Sequence, residues 1–258
     1  MSESTVYRWH TSGLHHHDEG GLIDSTIIAA DSWLVTEGSV LAIELHRQRF
    51  FLAANGLIDD LDRFWHASIA AIPRTGDWFP RVELQRQTDA VLPVFRLRSA
   101  PELTRSVTLA SHHGPDPRTT PRTKGPDMAA LLRIRTDAQA NGAGEAVILS
   151  PEGFVVEGAY SSLFWWRGDV LCAPSPELDR VDSVTARSVF ALAAARGVQT
   201  HSESIVPAEL DGCEIWAISA LHGIRIVTGW IDGPAPAELP GRLSAWRLRL
   251  DRLRQPLP

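Results

Sequence analysis

The sequence predicts an α+β fold with two domains, because three observations agree. The chain has 258 residues, 44% hydrophobic and 22% charged, which is ordinary for a globular protein and long enough for one large or two modest domains. Short apolar segments are separated by hairpin-type turns such as Glu37-Gly38. Other segments have helical patterns that stop at glycine or proline. Helices and antiparallel strands are therefore expected in both halves of the chain.

The first half is expected to contain a hairpin, two helices and further strands. The elements predicted there are, in order, two short strands within 33–44, helices at 45–55 and 59–72, and strands at 81–86, 91–98 and 107–111. Gly56 and Pro73 end the two helices. A turn-rich stretch with several prolines begins at 99, so the domains are predicted as 1–105 and 106–258.

The second half has a similar mixture. The elements predicted there are, in order, a helix at 126–141, strands at 145–150, 154–158, 162–166 and 170–173, a helix at 183–196, a strand at 213–219 and a helix at 241–254. Ser183 has the side chain preferred at a helix N-cap, and Gly142 and Gly197 suit helix ends. The prediction is a hairpin-rich sheet with helices packed against it.

Composition excludes several classes of protein. The net charge of −6 and the scattered arginines do not form a basic stripe, so no nucleic-acid partner is expected. Cys172 and Cys213 lie far apart and outside metal-ligand spacing, so no disulfide framework and no metal site is predicted. No apolar run reaches about 18 residues and no signal pattern is visible, so we expect no membrane association and a cytoplasmic location.

Lys124, within PRTKGPDM, is the single lysine of a chain that has 24 arginines. Arginine serves surface charge and carboxylate pairing at least as well as lysine does, but guanidinium stays protonated and cannot attack a carbonyl carbon. An exposed lysine on a solvated loop would be the structural explanation. The functional explanation is that Lys124 forms a Schiff base.

Three features after Lys124 favour the functional explanation. Glu157 ends an apolar strand, where a carboxylate is costly unless it meets a partner. Residues 183–187 open a helix, and the free N–H groups at a helix N-terminus bind phosphate. Residues 219–223 end a strand in small, turn-forming residues. A lysine, a carboxylate and a phosphate cradle together predict a site for pyridoxal 5'-phosphate.

At this point the sequence resembles the class IV pyridoxal-phosphate enzymes, which include branched-chain and D-amino-acid aminotransferases and 4-amino-4-deoxychorismate lyase. The resemblance covers roughly residues 33 to 233, and its five segments occur in the family's order and spacing: EGSVLAIELHRQRF, TKGPDMAALL, GEAVILSPEGFVVEGAYSSLFWWRGDVLCAP, DSVTARSVFALAAARGV and EIWAISALHGIRIV. It implies the two-domain class IV fold, with the cofactor in a cleft between the domains, and a homodimer.

The resemblance also implies roles for individual residues. Lys124 would form the aldimine and move the proton, and Glu157 would hold the pyridine nitrogen protonated. Arg98 ends the strand that precedes the family's substrate-binding loop and is predicted to contact the substrate. The phosphate contacts implied are Arg49, the backbone N–H groups of Thr185 and Ala186, and the strand end at Ser219 and Ala220.

The resemblance leaves the reaction open. Transfer of an amino group between an amino acid and a 2-oxo acid is the first expectation, because it is the broader class. A lyase that eliminates pyruvate and leaves 4-aminobenzoate is the alternative, favoured by SSLFWWRGD and by Ala220, where aminotransferases often keep a hydroxyl. Asp127, Ser162 and Val184 stand where the family usually has Asn, Asn and Gly, which keeps a catalytically silent binding protein as a third possibility.

Overall fold

The computed structural model describes residues 4–17, 25–88 and 90–258, and it divides the chain into two compact units. The first unit contains the described residues up to Leu103, together with Thr123–Pro126 and Leu253–Pro258. The second contains Thr104–Arg122 and Asp127–Arg252. The sequence-based division at 105/106 stays a prediction, but the four residues around Lys124 group with the first unit, whereas that division assigns them to the second.

The first unit is built from strands and two helices. Its described elements are β1 (Ser4–His10), β2 (Gly13–His16), β3 (Thr26–Ser32), β4 (Val35–Thr36), β5 (Ser39–Leu41), α1 (Ile43–Ala54), α2 (Leu61–Ala70), β6 (Asp77–Trp78), β7 (Arg81–Gln87), β8 (Ala90–Arg98) and β17 (Arg254–Pro256).

The described strands of this unit form two sheets. One has the order β2-β1-β8-β7-β3 with antiparallel pairing, and the other has the order β17-β5-β4-β6. Alternate residues of a strand point to opposite faces of the sheet. Val82, Leu84 and Phe95 therefore share one face and pack with the buried aromatic residues Trp33 and Phe64 in the core of the unit.

The second unit carries one large sheet with helices packed against it. Its described elements are β9 (Ser106–Ser111), α3 (Met128–Ala140), β10 (Glu145–Leu149), β11 (Val155–Gly158), β12 (Ser162–Arg167), β13 (Val170–Pro174), α4 (Val184–Ala195), β14 (Thr200–Glu203), a short 3-10 helix (Pro207–Leu210), β15 (Glu214–Ser219), β16 (Gly223–Ile231) and α5 (Arg242–Asp251).

The described sheet of the second unit is mixed, with the order β11-β10-β9-β16-β15-β12-β13-β14. The pairs β9–β10, β9–β16 and β13–β14 are parallel, and the others are antiparallel. One face buries a core that includes Val155, Leu163 and Trp165. The opposite face of β10 and β11 packs against α3 through residues such as Ile134 and Ile148.

Most elements expected from the sequence are present within a few residues. The hairpin at Glu37-Gly38 is confirmed as β4 and β5, and Ser183 is confirmed as the N-cap of α4, since its Oγ accepts the N–H of Ala186 at 3.2 Å. The helix predicted over 241–254 is wrong at its end. It stops at Asp251, because 254–256 pair with β5 as strand β17 and their backbone groups bond to the sheet.

Two further findings concern the membrane proteins and disulfide-linked proteins that the composition excludes. Among the described residues, no helix is both long and apolar enough to cross a membrane. Cys172 and Cys213 are free thiols, and burial raises the pKa of the Cys172 thiol to about 11.

Candidate active site

The segment that carries Lys124 is fixed to the edge strand of the first sheet. The backbone N–H of Ala30 donates to the carbonyl of Lys124 at 2.8 Å. β3 lies at one end of the strand order, so its outward backbone groups are available for such a bond. Gly125 adopts a φ of 134°, and a Cβ there would lie 2.7 Å from the nitrogen of Ala30. Only glycine allows this close approach.

A buried cluster of charges lies on the same strand, next to Ala30. Asp31 has no exposed surface and accepts from Arg49 through Nε at 2.8 Å and Nη2 at 2.7 Å. His46 Nδ1 and the backbone N–H of Ser32 also donate to its Oδ1. Although burial opposes it, the charges of Arg49 and His46 lower the pKa of Asp31. Asp31 is thus ionised and orients Arg49.

His46 is the third member of the cluster, and its Nδ1 donates to Oδ1 of Asp31 at 2.8 Å. Burial lowers its pKa below the ordinary value of histidine, and the charges of Arg49 and Lys124 add to the lowering, whereas Asp31 opposes it. The cluster therefore contains the ion pair of Asp31 and Arg49, with His46 hydrogen-bonded to the same carboxylate. The sequence did not single out Asp31 or His46 for a role, although both lie within 18 residues of Arg49.

Arg98 belongs to a group of arginines around one carboxylate in the first unit. Glu83 is fully buried and is ion-paired with Arg81 and Arg96. Arg98 donates from Nε to the carbonyl of Phe79 at 3.1 Å and lies over the Phe79 ring. Burial, followed by the charge of Arg81, lowers the pKa of Arg98 to about 10, so it is still a cation at neutral pH. The sequence signal that could have pointed to this group of arginines is the alternation of charged and apolar residues along β7.

Glu157 is held in a polar network of the second unit. Its Oε1 accepts from Nη1 of Arg118 and from the backbone N–H of Val181, the latter at 3.3 Å. Arg118 is itself buried and donates from Nη2 to Asp116 at 2.6 Å. The acids beside it raise the pKa of Arg118 against the effect of burial. A permanent cation in contact with Glu157 favours the carboxylate form.

Arg118 is a residue that sequence reasoning missed. It lies 39 positions before Glu157, in a loop rich in proline and threonine, where nothing in the local pattern marks it. The carbonyl of Asp179 also accepts from it, at 3.0 Å. Three chain segments therefore meet at this one guanidinium, and only the folded chain brings them together.

Asp127, three residues after Lys124, organises the loop that precedes the lysine. Its Oδ1 accepts from the N–H and the hydroxyl of Thr119, and its Oδ2 accepts from the N–H and the hydroxyl of Thr120, over distances of 2.8 to 3.2 Å. All four partners are donors. A carboxylate can accept all four bonds, whereas an amide has one oxygen and would turn its NH2 group towards the backbone N–H of one threonine. This explains aspartate in place of the family's usual asparagine.

α4 begins where the sequence predicts, but one of its two predicted N–H donors already has a partner. Thr185 is buried, and Arg187 pairs with Asp182 at 3.3 Å. The first N–H groups of a helix have no carbonyl partner within the helix. The N–H of Ala186, however, already donates to the cap at Ser183. Thr185 therefore offers the clearer anion-binding N–H of the two.

The predicted residues form separate groups within each unit. In the first unit, Lys124 and Arg49 are bound to neighbouring residues of β3, Ala30 and Asp31. In the second unit, the loop before α4 touches Glu157 through Val181.

The remaining predicted contacts lie at the end of β15. Ser219 is the last residue of that strand, and its Oγ accepts the N–H of His222 at 3.2 Å. Ala220 follows it and has no hydroxyl to offer.

A comparison with models of protein families tests the family that the sequence resembles. The family model for amino-transferase class IV matches residues 29–230, which is most of the chain. The chain belongs to the class IV aminotransferase family. As a member it is an enzyme dependent on pyridoxal 5'-phosphate, and the class IV fold expected from the sequence is confirmed.

Solved structures agree on the fold of this class IV chain. A branched-chain aminotransferase from Thermoproteus uzoniensis with norvaline is 17% identical, with a TM-score of 0.80 over 98% of this chain and 100% of that one. A hypothetical aminotransferase from Mycobacterium tuberculosis in its PLP-bound form is 19% identical, with a TM-score of 0.78 over 97% and 98%.

A putative 4-amino-4-deoxychorismate lyase from Legionella pneumophila is 16% identical, with a TM-score of 0.75 over 92% of this chain and 93% of that one. Identities this low show the fold alone, so they do not choose between transfer and elimination. A search of curated proteins finds no match to this class IV chain.

Proposed function

We propose that the chain transfers an amino group between an amino acid and a 2-oxo acid, with Lys124 as the catalytic residue. The observation that supports this most directly is the attachment of the single lysine to β3, where the Ala30 bond and the close approach of Gly125 fix its backbone. A lysine kept only for solubility needs no such attachment. A catalytic amine needs a fixed position.

The residues present fit the cofactor. Bound pyridoxal phosphate supplies an aldehyde that reacts with an amine, and a ring that withdraws electrons when its nitrogen is protonated. Glu157 would face that nitrogen as a carboxylate, since Arg118 stabilises its ionised form. Thr185 and Ser219 would bind the phosphate, with Ala186 and Ala220 beside them. Arg49, oriented by Asp31, would add the cation.

The remaining steps are carried by side chains of this chain. The Nζ of Lys124 would remove the proton from the α-carbon of the amino acid and hold it for return. Arg98 would bind the carboxylate of the substrate, because its guanidinium is half-buried and remains charged. A substrate carboxylate held in this way would orient the α-carbon for proton removal.

Borohydride reduction tests the role of Lys124 sharply, because the chain has one lysine. Purified protein with added pyridoxal phosphate should develop a visible absorbance band. Reduction should then fix the cofactor to the peptide that contains Lys124, as measured by mass spectrometry. Lys124→Ala should lose both signals, while Glu157→Gln should keep the covalent attachment and lose activity. A protein that stays colourless would instead support the catalytically silent binding protein.

The lyase reaction is the second candidate, and Ala220 is the observation that favours it. This residue leaves one predicted phosphate contact without the hydroxyl that aminotransferases often have. Turnover of aminodeoxychorismate to 4-aminobenzoate and pyruvate without any 2-oxo acid acceptor would decide for elimination. Acceptor-dependent turnover across a panel of amino donors would decide for transfer.

We also propose a homodimer in the cytoplasm. The resemblance to the family supports the dimer, and the two free thiols are consistent with a reducing compartment. Light scattering of the purified protein tests the first statement, because a monomeric mass at micromolar concentration would contradict it. Fractionation of cells that express the protein tests the second.

A further inference from the structure

Glu145 is a buried carboxylate of the second unit that the proposed reaction does not use. It is the first residue of β10, and only 1% of it is exposed. Its Oε1 accepts the N–H of Tyr160 at 3.3 Å, and its Oε2 accepts the hydroxyl of Ser161 at 3.0 Å. Nη2 of Arg225 lies 3.6 Å from the same Oε2. A carboxylate buried this deeply is costly unless it is paired, and these three partners supply the pairing.

Arg225 completes this pair from β16, and it is buried as well. Burial raises the pKa of Glu145, whereas the charge of Arg225 and the hydrogen bond from Ser161 oppose that effect. The guanidinium therefore favours the ionised form of Glu145. Val147 and Val227, two residues further along β10 and β16, belong to one core. Glu145 and Arg225 thus lie on the face of the sheet that carries this core, because alternate strand residues share a face.

Glu145 fixes the turn that follows the strand of Glu157. Besides the bonds from Tyr160 and Ser161 to Glu145, the N–H of Gly158 donates to the carbonyl of Ser161 at 2.7 Å and closes the turn. Gly158 is the last residue of β11, and a Cβ there would lie 3.1 Å from Cγ of Glu145 and 2.5 Å from Oγ of Ser161. The backbone therefore packs directly on the Glu145 side chain. The position of Glu157, one residue earlier, depends on this packing.

The same turn leads towards the predicted phosphate contact at the end of β15. Ser162 follows the turn as the first residue of β12, and it pairs with Ile218 of β15. Ser219 is the next residue and the last of that strand. β16, which carries Arg225, is paired with the other side of β15. The buried ion pair therefore connects the end of β11, where Glu157 lies, to the end of β15.

We propose that Glu145 and Arg225 are positioning residues that set the spacing between Glu157 and the phosphate contact at Ser219, an inference that rests on the proposed function. Glu157 pairs with Ile148, three residues after Glu145 on β10, so the two carboxylates point to opposite faces of the sheet. Glu145 therefore acts through the backbone and does not contact the cofactor. A ligand that spans both contacts binds tightly only when the protein holds them at the matching distance.

Calorimetric binding of pyridoxamine 5'-phosphate and of pyridoxamine to the cofactor-free full-length chain tests the inference. Neither compound has an aldehyde, so the measurement does not depend on covalent chemistry at Lys124. The phosphate should tighten binding to the wild type. Glu145→Gln should reduce this advantage, the ratio of the two dissociation constants, at least about tenfold, because its NH2 group meets the N–H of Tyr160 or the guanidinium of Arg225. Ser161→Ala keeps the charge and removes one bond, so a reduction of about threefold is expected.

Glu214→Gln is the matched control for a general loss of stability. Glu214 is also buried, also begins a strand of the second unit and also has an arginine, Arg242, at 3.6 Å. It lies at the end of β15 opposite to Ser219, so its variant should lower the melting temperature and keep the wild-type ratio.

An unchanged ratio in Glu145→Gln and Ser161→Ala would overturn the inference and leave the proposed function standing, and so would an equal fall in Glu214→Gln. If Glu145→Gln does not fold, Ser161→Ala decides. A wild type whose binding gains nothing from the phosphate would contradict the phosphate contacts, and with them both proposals. Failure of borohydride to fix pyridoxal phosphate to Lys124 would contradict the proposed function alone, since the binding ratio is measured without an aldehyde.

Discussion

Two buried aspartates, one in each unit, organise the chain around Lys124 by different chemistry. Asp31 accepts from a guanidinium and an imidazole as well as a backbone N–H, so it belongs to an ion pair. Asp127 accepts from two N–H groups and two hydroxyls, all of them neutral. Two aspartates that are buried to a similar degree can therefore differ in how much they contribute to the free energy of unfolding. Removing one charge of a buried ion pair costs more than removing an acceptor of neutral donors.

The largest expected effect is that of Asp31→Asn. It removes the charge of the carboxylate that accepts two bonds from Arg49, and it should lower the free energy of unfolding by about 3–5 kcal/mol in urea denaturation. Asp62→Asn is the control, because Asp62 of α2 pairs with Arg47 of α1, and both side chains are exposed enough for the pair to contribute about 0–1 kcal/mol. Equal losses in the two variants would remove the distinction between the two kinds of aspartate.

The next effect tests how the lysine segment is attached to β3. Gly125→Ala forces a Cβ against the backbone of Ala29 and Ala30 at a φ that only glycine adopts easily, so a loss of about 1–3 kcal/mol is expected. Gly142→Ala is the control, since Gly142 has a positive φ but no atom near its missing Cβ, and it should cost about 1 kcal/mol or less.

The same two variants should differ in function. Gly125→Ala should reduce the fraction of cofactor fixed to Lys124 by borohydride, because the backbone of the lysine is displaced. Gly142→Ala should leave that fraction at the wild-type value. If Gly125→Ala also keeps full fixation, the bond between Ala30 and Lys124 does not position the amine.

A smaller loss is expected for Asp127→Asn. The amide oxygen can replace one carboxylate oxygen, but its NH2 group meets the donors of one threonine, so about 1–2 kcal/mol should be lost. Asp137→Asn, on the exposed face of α3, should change the unfolding free energy by no more than about 0.5 kcal/mol. A loss above that of Asp31→Asn would reverse the comparison.

The smallest effect is the acid dependence of stability. The folded-state pKa values of Asp31 and Asp127 are both lowered, so the unfolded chain binds protons first and each carboxylate stabilises the fold above its unfolded pKa. This contribution is lost as pH falls from about 5 towards and below the folded values. Between pH 5 and pH 3, Asp31→Asn should flatten the curve of unfolding free energy by about 1 kcal/mol. A curve parallel to that of the wild type would contradict the lowered pKa of Asp31.

Most elements of the second unit were predictable because their signals are local, although β14 and β16 were not predicted. Ser183 has the side chain of an N-cap and lies before a helical pattern, and the structure shows that bond. Strands such as β12 and β15 are short apolar runs between turns. The first 32 residues were harder, since β1 is mixed in polarity and β3 ends in polar residues that are buried by the fold.

The partners of the candidate site were not predictable in the same way. Glu157 was recognised because a carboxylate at the end of an apolar strand is costly, but its cation, Arg118, lies 39 residues earlier. Asp31 was overlooked because it lies 18 residues before Arg49. A separation of that length between a strand and a helix does not indicate that two side chains are in contact. Such pairs depend on which loops meet after folding.

By itself, the sequence determined which residue could do amine chemistry, where the helices and many of the strands lie, and which family the chain resembles, because residue type and short-range pattern carry that information. The tertiary structure alone decided that Lys124 is bound to the edge of β3, that Arg49 is oriented by Asp31, and that Arg118 meets Glu157. The physical reason is that these contacts join segments far apart in the chain. Their energies arise only when folding has removed both partners from water.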